Sequence, residues 1–161
     1  MEVLNKTESI RRVKFFQGLT ETEIVQVAEI SRERTYAVGE LCQTEGKSSD
    51  QVHIILKGRV GTVVRIPNIT YMNNEIVLDV LHDGDVFGWS ALIQSIPWST
   101  LRALDPTMVL YINANDLLNL CESNNHIGFI IMKHLSSLIA SRLRRNRMSI
   151  LNTIVAIRGD L

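Results

Sequence analysis

The chain has little of what most sharply restricts a function. Its two cysteines, Cys42 and Cys121, form neither a Cys-x-x-Cys pair nor a disulfide framework. Cysteine-held zinc and an oxidised secreted scaffold are therefore not expected. Its four histidines, His53, His82, His126 and His134, are never two residues apart, so the His-x-His start of a cupin-type metal centre is missing. Each reads better as a structural histidine. There is no Gly-x-Ser-x-Gly elbow and no glycine-rich nucleotide loop. Charge of one sign is not in excess either: Lys and Arg total 17, as do Asp and Glu. The molecule as a whole then exerts no net pull on DNA or an anionic membrane. No apolar run approaches the roughly 18 residues of a membrane span. The opening Met1-Glu2-Val3-Leu4-Asn5-Lys6-Thr7-Glu8 lacks the apolar core of a signal peptide. The expected compartment is the cytoplasm, and Asn5-Lys6-Thr7 and Asn68-Ile69-Thr70 match the glycosylation triplet by chance. No catalytic residue, metal ligand or cofactor is expected, and no membrane partner.

What is present is an ordinary globular composition, with 45% hydrophobic and 21% charged residues in 161. That length suits one domain, or one domain with an appendage. Residues 1–38 read as a helical lead-in. Ile10, Val13, Lys14 and Phe16 run to a break at Gly18, Thr20 with Glu23 forms a capping box, and Ile24, Val27, Ala28 and Ile30 have helical spacing. Residues 39–114 change texture. Short β-branched runs at Val52–Leu56, Arg59–Ile66, Ile76–Leu81, Ser99–Ala103 and Met108–Ile112 are separated by glycine and polar turns. The fold class expected is mainly β with flanking helices: an antiparallel jelly-roll barrel of the eight-stranded type. Pro67-Asn68 and Asn73-Asn74 bracket a longer connection. Residues 115–161 give a short helix through Cys121 and a long one from His126 to about Arg158. Ile127, Ile131, Leu135, Leu138, Ile139 and Leu143 form a stripe, which Ile150, Leu151, Ile154 and Ile157 continue. A helix this long outruns a small barrel, so a homodimer through this helix is expected.

Residues 84–103 carry the most information. A strand ends at Phe87, Gly88 follows, a short apolar turn runs through Ala91 and Leu92, and a new strand starts after Pro97. Together with Phe15-Phe16-Gln17-Gly18-Leu19, Gly39-Glu40, Ile54-Ile55-Leu56-Lys57-Gly58-Arg59-Val60 and Leu101-Arg102-Ala103, this order resembles the cyclic-nucleotide-binding domains of catabolite-activator-like regulators and kinase regulatory subunits. The resemblance spans nearly the whole chain. It implies a non-catalytic sensory role, with a small-molecule effector in the barrel shifting how the turn packs on the long helix.

In that family the turn reads Phe-Gly-Glu, with an arginine about ten residues on for the phosphate. Here Trp89 stands at the glutamate position, and Pro97 or Trp98, depending on the direction of counting, at the arginine position. Arg102 falls on the opposite face of its strand from Leu101, Ala103 and Ser99. Two lost charged contacts, about 1.5–3 kcal/mol each, weaken a micromolar ligand by orders of magnitude. Ordinary cAMP binding is not expected, and the effector becomes a cyclic nucleotide or another planar anion. The candidate binding residues are Gly88, Trp89, Ser90, Trp98, Ser99 and Thr100, with Asn146 and Arg147 of the long helix. Backbone N–H groups at the turn suit an anion, the hydroxyls offer hydrogen bonds, and the indoles suit a planar ring. Equally, both indoles can plug an emptied pocket, leaving a structural dimerisation module. A cupin-type enzyme is the remaining alternative. Regulators of the resembled type carry a helix-turn-helix after the long helix; none follows within these residues, so no direct DNA contact is expected.

Overall fold

A computed structural model describes residues 3–65 and 75–159, with side chains described for 6–64, 77–145 and 147–148. The Pro67–Asn74 connection lies outside the described residues, as do the side chains of Asn146, Ile150, Leu151, Ile154 and Ile157.

The chain enters through α1 (Val3–Arg12), a turn of 3-10 helix at Lys14–Phe16 and α2 (Glu21–Glu29). The capping box of α2 is complete: Thr20 Oγ1 accepts from the Glu23 N–H, and the Glu23 carboxylate accepts from the Thr20 N–H. Eight strands follow: β1 (Ser31–Tyr36), β2 (Leu41–Gln43), β3 (Gln51–Lys57), β4 (Val60–Arg65), β5 (Glu75–Leu81), β6 (Val86–Phe87), β7 (Thr100–Ala103) and β8 (Thr107–Asn113). They form two four-stranded antiparallel sheets, ordered β1-β8-β3-β6 and β2-β7-β4-β5. The expected mainly-β jelly roll is thus present, as a sandwich of two sheets that do not close into one barrel. Two helices end the chain, α3 (Ala114–Ser123) and the 35-residue α4 (Asn125–Gly159).

Strand β3 explains the layering. Its residues 52–55 are all buried, because one face meets helices and the other meets the second sheet. Alternation then sorts the side chains. Val52 and Ile54, with Leu110 and Ile112 of β8, join the helix-side core. Ile55 and Val109 join the core between the sheets. The first turns of α4 close the helix-side core through Ile127, Ile131 and Leu135. Its start is tied to α2, since Asn124 Nδ2 donates to Glu23 Oε1 at 3.1 Å and His126 Nδ1 lies 2.9 Å from the same carboxylate. Burial opposes ionisation of Glu23, but the Thr20 N–H and His126 outweigh it and hold the carboxyl below its usual range.

Two sequence expectations need correction. The helical lead-in ends at Glu29, and Ser31–Tyr36 is a strand. Its Arg32-Glu33-Arg34-Thr35 centre is exposed, so this edge strand paired with β8 carries no hydrophobic alternation to reveal it. Leu143 does not belong to the buried stripe of α4; it is 71% exposed. The stripe that packs runs 127-131-135-138, and its next member by spacing is Arg142.

Candidate ligand pocket

The turn after β6 begins with Gly88 at φ 75°, the left-handed region. A Cβ there would lie 2.3 Å from the Gln51 carbonyl oxygen, so only glycine fits. A single turn of 3-10 helix, Trp89–Ile93, follows, with Ser90, Ala91 and Leu92 buried. The chain returns through Pro97, Trp98 and Ser99 into β7, pinned by two contacts: Pro97 O accepts from the Gly46 N–H at 2.9 Å, and Ser99 O from Gln43 Nε2 at 2.9 Å.

Between the turn and this return lies a cavity. Gly88, Trp89, Ser90, Trp98 and Ser99, five of the residues expected from sequence, line it. Pro97 lines it too and is buried, whereas Trp98 is 56% exposed at the rim. The two indoles therefore do not act together as a plug; Trp89 packs against the helix-side core. Thr100 stands outside the lining, its hydroxyl accepting from the Glu45 N–H at 3.1 Å. Arg147 is exposed and also outside it. Neither joins the site: Thr100 is engaged by the β2–β3 loop, and Arg147 lies more than a turn beyond the last helical residue that reaches the cavity. Asn146 falls among the side chains not described. Arg102 turns away as expected, with Nη1 donating to Gly39 O at 2.9 Å, and Leu101 lines the cavity.

The residue that sequence reasoning missed is Arg142. It comes from α4, is 9% exposed, lines the cavity, and donates from Nη2 to the Val86 carbonyl at 3.0 Å. Its Nε is buried without a partner. Among the described residues no carboxylate lies within 4 Å of it. Burial, with the neighbouring Arg145, pulls its proton affinity down, against the weaker influence of Asp79 and Asp85. Asp79, which also faces the cavity, lies 3.5 Å from Arg145. The signal was legible in principle: a charged residue falling on the apolar stripe of a helix.

With Arg142 in place, the remaining void is about 30 Å³. That is room for a water or two and far too little for a nucleotide. Behind Gly88 the wall is fixed by His53, which is 3% exposed, stacks on Phe87 with ring centroids 4.6 Å apart, and sits 3.1 Å from the Tyr36 hydroxyl through Nε2. Burial drives its proton affinity down to about 3, so this imidazole stays neutral. Burial also pushes the Cys42 thiol up to about 12.

A glycine-led turn after a short strand, facing a long helix across two sheets, has a counterpart among known proteins. The cyclic nucleotide-binding domain family model matches residues 33–124, more than half of the chain. This chain belongs to the cyclic nucleotide-binding domain family. A cyclic nucleotide-binding domain from Methylobacillus flagellatus KT superposes with a TM-score of 0.77 at 20% identity, covering 94% of this chain and 83% of that one. The catabolite activator protein of Thermus thermophilus superposes at 0.68 and 21% identity, over 85% of this chain and 61% of that one. In sequence, the chain is 28% identical over 111 residues to the cAMP/cGMP-dependent 3',5'-cAMP/cGMP phosphodiesterase B of Dictyostelium discoideum, 64% of this chain and 10% of that protein. The domain thus spans about a tenth of that curated relative. No described helix of the domain is long and apolar enough to cross a membrane.

Proposed function

We propose that this domain is a non-catalytic ligand sensor whose pocket is read by α4, and that it does not bind cAMP in the ordinary way. One observation carries the reading: the cavity at the Gly88 turn is lined by Arg142 of α4 and holds about 30 Å³. An occupant larger than a pair of waters that enters beside Arg142 meets a side chain borne by α4, which couples the pocket to the helix. Trp89 stands at the position of the family's ribose-gripping carboxylate, and Pro97 or Trp98 at that of its phosphate-gripping arginine, which supports a changed ligand. The lining offers hydroxyls, indoles, one guanidinium and a carboxylate that faces Arg145. These are groups for binding, without a nucleophile and base set for catalysis.

The output element is α4. At 1.5 Å per residue it is about 52 Å long, longer than the sandwich it flanks. Phe129, Met132 and Leu143 are exposed on it, Phe129 to 65%. Residues 129, 132, 136, 139 and 143 keep the three-and-four spacing of a coiled-coil seam; Ile139, which also packs against the helix-side core, joins this seam to the stripe that packs there. A second copy of α4 is the partner proposed.

Calorimetric titration with cAMP and cGMP tests the ligand claim, and the expected outcome is no saturation at micromolar nucleotide. Micromolar affinity overturns it. Sedimentation equilibrium tests the pairing: the domain is expected to be a dimer that Leu143→Glu dissociates, and a monomeric wild-type domain removes that part. The small void favours one second reading, a dimerisation module with a dead pocket. An α4 whose amide exchange is unmoved by every anion and nucleoside supplied would select it.

A further inference from the structure

Arg142 is the least compensated polar group in the described structure. The residue is 9% exposed, its one hydrogen bond goes to a neutral carbonyl, and its buried Nε faces no acceptor. A buried charge without a counter-charge is costly, and the cost falls when an anion arrives. The nearest cavity-facing carboxylate, Asp79, is engaged by Arg145, one helical turn further along the same helix. The cavity is thus left with one unmatched positive group, delivered by the helix rather than by the strand after Pro97.

We propose that Arg142 is the anion anchor of this pocket, so that a compact ligand carrying a carboxylate or phosphate pairs with its guanidinium in exchange for the Val86 carbonyl contact. This rests on the reading above that the pocket takes a ligand, and it adds the charge of that ligand and the residue that senses it. Because the cation is borne by α4, the anion's charge acts directly on the helix. A neutral ligand of the same shape gains no such hold. The indoles of Trp89 and Trp98 both line the cavity, which gives an optical readout and favours an aromatic acid over an aliphatic one.

The test uses indole fluorescence and thermal unfolding of the whole chain at constant ionic strength. Inorganic phosphate, salicylate and neutral salicylamide are each supplied to millimolar concentration. The expected result is a saturable response to salicylate or phosphate and none to salicylamide. Arg142→Gln should weaken that response about tenfold or more, as loss of a charge-assisted pair does. Arg142→Lys should retain part of it, and Arg147→Glu, outside the cavity, should retain all of it. Which of the two anions binds more tightly separates a carboxylate site from a phosphate site. Arg142→Met serves as a folding check, and its melting temperature is expected to equal or exceed that of the wild type, because an unmatched buried charge has been removed. The inference is overturned by equal affinity in Arg142→Gln, by equal binding of salicylamide, or by no wild-type response to either anion. Binding of salicylamide or adenosine that ignores Arg142 sinks the inference while leaving the sensor reading intact.

Discussion

The two cores of this domain use opposite faces of the same strands, yet they are unequal. The helix-side core gathers twenty-one buried apolar residues from every helical element and from β3, β6 and β8. The core between the sheets has eight among the described residues, from Tyr36 to Val109. The pocket opens at the edge of the thinner one, where Phe87 and Leu101 belong both to the inter-sheet core and to the cavity wall. Helix α4 spans the contrast. Its first turns are anchored in the thick core through Ile127, Ile131 and Leu135, and among its described residues Arg142 reaches the cavity beside the thin one.

The thin core also holds the group most sensitive to acid. His53 keeps its proton affinity near 3 in the folded chain and near 6.5 in the unfolded one. Below pH 6.5 the unfolded chain binds a proton that the folded chain refuses, so stability falls with decreasing pH until about pH 3. The full difference amounts to about 5 kcal/mol. His53→Gln, which retains a polar partner for Tyr36, should lose this acid limb in denaturant titrations at a series of pH values. An unchanged limb would show that the thin core admits water to His53.

Truncation separates the cores directly. Phe87→Ala removes the ring on which His53 stacks and should cost about 3–5 kcal/mol, with the pocket wall disturbed as well. Ile131→Ala, fully buried in the thick core, should cost about 2–5 kcal/mol while changing the fluorescence of the rim indole Trp98 less than Phe87→Ala does. If both variants changed the indole signal equally, the two cores would be one cooperative unit. The smallest effect is expected at the rim of the thick core. Thr20→Ala removes half of the capping box of α2 and should cost about 1 kcal/mol, measured by chemical unfolding.

Much of this was legible in the chain. The capping box at Thr20 and Glu23, the strands around Val52–Leu56 and Met108–Ile112, the glycine-led turn and the long last helix each carry a local signature. The polar edge strand β1 and the three-residue β2 carry none, because pairing with β8 and β7 defines them rather than their own side chains. The family's two charged positions could be counted along the chain and found altered. Counting could not settle whether Pro97 or Trp98 points inward; the fold buries Pro97 and leaves Trp98 at the rim.

Sequence alone determined the mainly-β class with flanking helices and the residues of the glycine-led turn, since both depend on residue type and spacing over short stretches. Only the tertiary structure decided which arginine of the last helix lines the cavity. Arg142 lies some fifty residues from the turn it meets, and its place on the apolar stripe marks it as inward-facing without saying what it faces. The helix's rotation against the sheets, set by Ile127, Ile131 and Leu135, turns Arg142 inward and leaves Arg144 and Arg147 in water.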